Sequence, residues 1–267
     1  MASSSTATPA TPAPGDSYVQ SFARGLQVIR SFNADAPRQT LTEVANRSGL
    51  TRAGARRILL TLQTLGYVET DGKLFSLTPR ILDLGFAYLS SMPIWNIAEP
   101  VMEALVEEVK ESCSAAVLEG TDIIYVLRVP THKIMSISLG VGSRLPAYCT
   151  SLGRVLLAGL PDDEVLRRLQ ASERQPLTRH TVTDVAALLA LVQSTRAQGW
   201  SLVNQELEEG LVSLAAPVTN REGRIVAALN ISGQANRTSA KAMQEAMLPA
   251  LLAAAQTISR LLAVKRA

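Results

Sequence analysis

The chain has 267 residues, 47% of them hydrophobic, a formal net charge of +3 and two cysteines. That length and apolar content provide for two globular domains with their own cores, and Cys113 and Cys149, which form no CxxC pair, exclude a disulfide framework and fit a reducing cytoplasm. The charge is segregated: residues 17–80 carry nine Lys and Arg against four acids, a balance of +5, whereas residues 93–267 carry seventeen of each sign. A positive first part on a neutral body implies a polyanionic partner for that part alone.

Residues 1–16 are rich in Ser, Thr, Ala and Pro, without the charged and apolar regions of a signal peptide, and read as a disordered tail. A helix from about Ser21 to Phe32 follows, with Phe22, Leu26 and Ile29 on one face. Thr42 suits an N-cap for a short helix from Glu43 to Ser48, which stops at Gly49, the residue best able to take a positive φ there. A second cap, Thr51, opens a longer helix to about Leu65. At about 100° per residue, Ala55, Ile58, Leu59, Leu62 and Leu65 share one arc and leave Arg52, Ala53, Arg56, Arg57 and Gln63 on the other side. Asp71-Gly72 is a hairpin turn between two short strands. A helix-turn-helix followed at once by a hairpin is a winged helix, here placed at residues 17–78.

Residues 79–92 form a linker helix. Ile81, Leu84 and Tyr88 line one side, Leu82, Phe86 and Leu89 another, so the helix needs two partners: its own domain and a second subunit, or another surface of the same chain. A two-fold dimer would set two recognition helices in successive major grooves, about 34 Å apart, over a palindromic site.

Residues 93–267 alternate helical and strand signals. Helices are expected over Pro100 to Ser112, Leu152 to Leu160, Asp162 to Gln170, Asp184 to Gln198 and Ser239 to Val264. Strands are expected over Ala115 to Leu118, Asp122 to Val129, Met135 to Leu139, Ser201 to Gln205, Leu211 to Val218 and Arg224 to Ile231. The plan is mostly antiparallel, an α+β ligand-binding module whose sheet has helices on both faces. No stretch reaches about 18 uninterrupted apolar residues, so no membrane span is expected.

Four segments, in order and suitably spaced, carry a family resemblance: Phe22-Ala-Arg-Gly-Leu-Gln-Val-Ile29; Gly49-Leu-Thr-Arg-Ala-Gly-Ala-Arg-Arg57; Gly142-Ser-Arg-Leu-Pro-Ala-Tyr-Cys-Thr-Ser-Leu-Gly-Arg154; and Gly199 through Val203-Asn-Gln-Glu-Leu-Glu-Glu-Gly210 to Ala215-Ala-Pro-Val218. The chain resembles the IclR family of bacterial transcription regulators, in particular the branch that controls protocatechuate and 4-hydroxybenzoate catabolism. The resemblance implies a winged helix, a linker helix and a GAF-like effector domain, assembled as a homodimer or tetramer. Gly54 departs from the family pattern; Gly costs up to about 1 kcal/mol relative to Ala in a helix, which implies a turn that firms on DNA.

The candidate contacts to a double-stranded DNA operator are Arg24, Thr42, Thr51, Arg52, Ala53, Arg56, Arg57 and Lys73. Arg52 and Arg56 are expected at base edges or phosphates, Arg57 and Lys73 mainly at the backbone. For the effector, the loop Cys149-Thr-Ser-Leu-Gly153 precedes a helix and its N–H groups suit a carboxylate, as do Arg128 and Arg144. Tyr125 and Tyr148 suit an aromatic ring. Similarity to the family adds Asn204, Glu206, Ser213, Asn230 and Ser232 to Thr150, Ser151, Leu152 and Gly153. The effector class is a small carboxylic acid such as protocatechuate, 4-hydroxybenzoate or β-ketoadipate.

An enzymatic reading, a DNA-tethered catalyst acting on a small organic acid, lacks motifs: the sequence has no GxSxG, HExxH, phosphate loop or dinucleotide fingerprint. His132 and His180, far apart, make a poor metal site, and no cofactor is implied.

Overall fold

Val28, rather than Phe22, is the residue by which the first helix enters a core. In the computed structural model, which describes residues 15, 17–91, 94–131 and 139–264, helix α1 (Gln20–Arg30) buries Val28 completely, while Phe22 is 68% exposed and Leu26 is at the surface. Of the expected apolar face of α1, Phe22 and Leu26 point outward, whereas Ile29 packs on the core beside Val28. The chain divides into two compact units, Met1–Tyr88 and Leu89–Ala267.

In the first unit, β1 (Arg38–Thr40) leads into α2 (Leu41–Arg47), α3 (Arg52–Thr64), β2 (Val68–Thr70) and β3 (Leu74–Leu77). The three strands form one antiparallel sheet in the order β1-β3-β2. The N-cap of α2 is Thr40, not Thr42. Its hydroxyl accepts from the Glu43 N–H, and the Glu43 carboxylate accepts from the Thr40 N–H at 2.7 Å, a reciprocal box that Thr42 cannot make because Glu43 follows it directly. Thr42 is an exposed residue of the first turn. Gly49 does adopt a positive φ of 65° after the helix. Thr51 caps α3 through the Gly54 N–H at 3.1 Å. Ala55, Leu59 and Leu62 pack on Val44, Ala45 and Val68, whereas Leu65, just past the helix end, is 52% exposed.

A short 3-10 turn (Pro79–Ile81) leads into α4 (Leu82–Ser91), where Leu82, Leu84, Phe86 and Tyr88 are all exposed.

In the second unit, α5 (Ile94–Val109) starts six residues before Pro100, which lies inside it. Burial of Ile94, Trp95 and Ala98 extends the helix across the proline. It stops at Lys110, whose φ is 55°, and residues expected at its end open β4 (Ser112–Glu119) instead. Then come β5 (Asp122–Val129), β6 (Arg144–Pro146), α6 (Ser151–Ala158), α7 (Asp162–Ala171), α8 (Val185–Gln198), β7 (Ser201–Asn204), β8 (Leu211–Thr219), β9 (Ile225–Gln234) and α9 (Ala240–Val264). The expected strand over Met135 to Leu139 falls largely outside the described residues.

The six strands make one antiparallel sheet in the order β6-β5-β4-β9-β8-β7. Side chains alternate along each strand, so the sheet separates two cores. On one face α5 and α9 bring Met102, Leu105, Leu251 and Ile258 against Leu214, Leu229 and Ile231. On the other α6, α7 and α8 bring Leu152, Leu157, Leu169 and Leu188 against Ala116, Ala215 and Ala228. Ala240–Ala263 is long and apolar enough to cross a bilayer by length and composition; Leu251, Ala254, Ala255 and Ile258 of this helix are buried in the sheet core.

Candidate nucleic-acid interface and ligand cavity

The α2-turn-α3 pair presents α3 with Arg52, Ala53, Arg56 and Arg57 exposed opposite its buried stripe. A guanidinium on a solvent-facing helix is the group that reads guanine edges or grips phosphates. Thr51 is spent on the cap, so its hydroxyl already accepts a backbone N–H. Arg24 is exposed on α1. Lys73 sits in the wing turn, which Asp71 organises: Oδ1 accepts the Lys73 N–H at 2.9 Å and the Leu74 N–H at 2.8 Å, and Oδ2 takes Arg38 Nη2 at 2.6 Å. Those backbone donors, with Arg38 behind them, hold the Asp71 carboxyl below its usual range. Arg38, which the sequence reading passed over, thereby ties β1 to the wing.

The second unit contains a cavity whose floor is a polar stripe across the sheet. Register aligns Arg128, Ser114, Asn230 and Ala215 on neighbouring strands, and two residues along it aligns Ser112, Ser232, Ser213 and Val203. Asn230 is buried and fully oriented. Its Oδ1 accepts the Ser114 N–H at 3.1 Å, so its amide nitrogen faces Ser213 Oγ at 3.0 Å and Ser232 Oγ at 2.9 Å. Ser151, from the first turn of α6, meets Ser213 at 2.7 Å. The cluster keeps hydroxyl protons and lone pairs that can turn toward a ligand oxygen. Tyr125, Arg128, Cys149, Thr150, Ser151 and Leu152 line the cavity with Ser213, Asn230 and Ser232, and Leu139, Val203, Leu207 and Leu211 supply apolar wall. The empty space between these residues, with the open solvent at the mouth included, is about 530 Å³.

Burial pushes the Tyr125 phenol up to about 12, against the pull of Arg128, and burial likewise pushes the Cys149 thiol up to about 12. Both stay protonated at neutral pH.

Five residues named from the sequence lie outside the lining. Arg144 turns to the surface and pairs with Asp122 at 3.2 Å, joining β6 to β5. Tyr148 is buried with its hydroxyl donating to the Gln175 carbonyl at 2.7 Å, and burial, helped by Cys149, pushes that phenol up to about 12. Gly153 is packed against the backbone of Ala147. Asn204 is exposed at the end of β7. Glu206 is buried in an ion pair with Arg154. Conversely Leu139, Val203, Leu207 and Leu211 were not named as effector residues; Val203 and Leu211 follow strand alternation, but Leu139 and Leu207 lie in loops, where sequence gives no signal of which way a leucine points.

Residues 21–72 match the IclR helix-turn-helix domain, and residues 86–260 match the IclR carboxy-terminal domain of bacterial transcriptional regulators. The chain belongs to the IclR family. Among relatives of this IclR-family protein, the Pca regulon regulatory protein of Pseudomonas putida is 41% identical over 242 residues, covering 90% of this chain and 83% of that one. The p-hydroxybenzoate hydroxylase transcriptional activator of Acinetobacter baylyi is 34% identical, covering 88% and 89%. Among solved structures, a transcriptional regulator from Rhodococcus sp. RHA1 superposes with a TM-score of 0.83 at 48% identity over 92% of this chain and 98% of that chain. An IclR homologue from Microbacterium hydrocarbonoxydans, complexed with 4-hydroxybenzoate, superposes with a TM-score of 0.76 at 26% identity, over 91% of this chain and all of that one. The α+β plan of an amino-terminal helix-turn-helix and a carboxy-terminal sheet-and-helix domain is that of the family.

Proposed function

We propose that this chain is a ligand-responsive regulator of an aromatic-acid catabolic operon of the β-ketoadipate type, acting on chromosomal DNA in the cytoplasm. Residues 17–78 would bind a palindromic operator, 79–92 link, and 93–267 sense a small aromatic or dicarboxylic acid. The observation that carries the reading is the cavity's division of labour: Arg128 offers a guanidinium to a carboxylate, and the Ser151–Ser213–Asn230–Ser232 cluster offers neutral hydroxyl partners to a ring hydroxyl or a second acid group. Leucine walls suit the ring between them. The relatives named for the Pca regulon and for p-hydroxybenzoate hydroxylase, and the homologue holding 4-hydroxybenzoate, support the same class.

The DNA contacts proposed are Arg24, Arg52, Ala53, Arg56, Arg57 and Lys73, with Thr51 holding the helix that carries three of the arginines. Exposed Leu82, Phe86 and Tyr88 on α4 support assembly of two or four copies through this helix.

A melting screen with protocatechuate, 4-hydroxybenzoate and β-ketoadipate tests the reading. One acid should raise the melting temperature and be recovered unchanged. Consumption of the acid would favour the DNA-tethered enzyme, and no shift with any of them would remove the sensor reading.

A further inference from the structure

Arg154 is a buried cation that lies outside the cavity lining, and it makes two contacts that lead back to it. Its side chain is 3% exposed and that of Glu206 is 9% exposed. Nε donates to the Tyr148 carbonyl at 3.2 Å, and Nη2 donates to Glu206 Oε2 at 2.6 Å. Tyr148 immediately precedes the lining segment 149–152, and Glu206 immediately precedes Leu207, in the loop that ends at Leu211. One guanidinium thus joins two wall segments that are far apart in sequence.

The Glu206 side is braced from outside. The Thr181 hydroxyl donates to the Glu206 carbonyl and the Thr178 hydroxyl to the Gln205 carbonyl, both at 2.6 Å, and the Val182 N–H donates to Glu206 Oε2 at 3.2 Å. Gln205 holds a φ of 61°, an uncommon backbone conformation for a residue with a side chain. A buried ion pair is a weak source of net stability, because desolvation offsets much of its attraction. What this pair does supply is geometry: a planar fork with donors on two sides holds two acceptors at a fixed separation, which a lysine ammonium on a flexible stem does not.

We infer that Arg154 and Glu206 are positioning residues of the cavity, setting the spacing of its two walls and through it effector affinity without touching the effector. The inference about affinity rests on the sensor reading; the inference about the two walls does not.

The test uses the full chain, 4-hydroxybenzoate as probe, and three variants: Arg154→Lys, Glu206→Gln, and the double Arg154→Met/Glu206→Leu, an apolar replacement of the pair. Calorimetric binding, thermal melting and amide hydrogen exchange are read together. Both single variants should weaken 4-hydroxybenzoate by about tenfold or more. The double variant should recover melting temperature but not affinity, and in each variant that folds the amides of 149–152 and 205–211 should lose protection together.

A double variant that melts and binds like the original chain overturns the inference, as does loss of protection in one wall with the other unchanged. If the double variant does not fold, an Arg154→Lys protein with unaltered affinity and unaltered exchange overturns it equally. If the original chain binds no 4-hydroxybenzoate, that choice of effector fails, and the paired exchange behaviour of the two walls alone decides for or against the positioning role.

Discussion

A Cβ placed on Gly153 would lie 2.1 Å from the carbonyl oxygen of Ala147 and 2.4 Å from its Cα. Both obstacles are backbone, so neither can rotate away. Gly153 is the residue that lets the first turn of α6 settle on the chain entering it, and it keeps Ser151 and Leu152 at the cavity. Gly153→Ala should cost about 3 kcal/mol through forced backbone displacement. Effector binding should fall as well, while acid-free duplex binding by the full chain is retained. Denaturant melting and calorimetry check both parts.

The two threonines at the start of α2, Thr40 at the cap and Thr42 in the first turn, should respond differently. Thr40→Ala removes the cap and its reciprocal partner and should destabilise the first unit by about 1 kcal/mol. Thr42→Ala should stay within about 0.5 kcal/mol, as for an exposed position with no cap role. Thr51→Ala should resemble Thr40→Ala and also weaken DNA binding, because the first turn of α3 carries Arg52. Urea melts of the three variants give the comparison.

Arg52→Ala and Arg56→Ala separate base reading from charge. A base-reading arginine should cost about 1–3 kcal/mol and relax selectivity at one position, whereas a phosphate contact should weaken all duplexes alike and reduce the salt slope by about one. Arg57→Ala and Lys73→Ala should show the second pattern. Titrations against matched and mutated duplexes at several salt concentrations resolve the two.

Much of this was legible in the sequence for physical reasons. The α3 pattern is long and periodic, Gly49 marks a position needing positive φ, and strand alternation located most of the large sheet. The failures have causes too. Thr40-Leu-Thr-Glu43 contains the capping-box spacing, yet two threonines compete for the cap unless Glu43 is counted back three places. β1 and β6, three residues each, exist only because distant strands pair with them. On α1, Ile29 was placed correctly, but Phe22 and Leu26 were taken for core in place of Val28, because all are apolar and only tertiary packing chooses among them. At the cavity, Arg144, Asn204 and Glu206 have the right chemistry, but their direction depends on Asp122, solvent and Arg154, none of which is near in sequence.

Acid should act on the first unit through two carboxylates. Backbone N–H donors, first those of Leu74 for Asp71 and of Thr40 for Glu43, lower both groups in the folded state. A folded pKa below the unfolded one gives stability that is complete above the unfolded value and is lost as pH falls through the lowered one. Melting of this unit should therefore be flat from neutral pH down to about 5 and decline below about 4, the unfolded carboxylate range. Asp71→Asn should flatten the decline while keeping the wing turn, which circular dichroism melts across pH would reveal.

A ligand-responsive regulator requires coupling between the cavity and the DNA face, and linkage makes that coupling measurable from either end. Fluorescence anisotropy on a duplex selected by the protein from random sequence, at fixed salt, with and without 4-hydroxybenzoate or protocatechuate, gives the coupling directly. One acid should change duplex affinity by about fivefold or more, and the duplex should change acid affinity by the same factor. Arg128→Ala should abolish the acid's effect while leaving acid-free duplex binding intact. An acid that fills the cavity yet leaves duplex affinity the same would rule out a regulator that responds to that ligand.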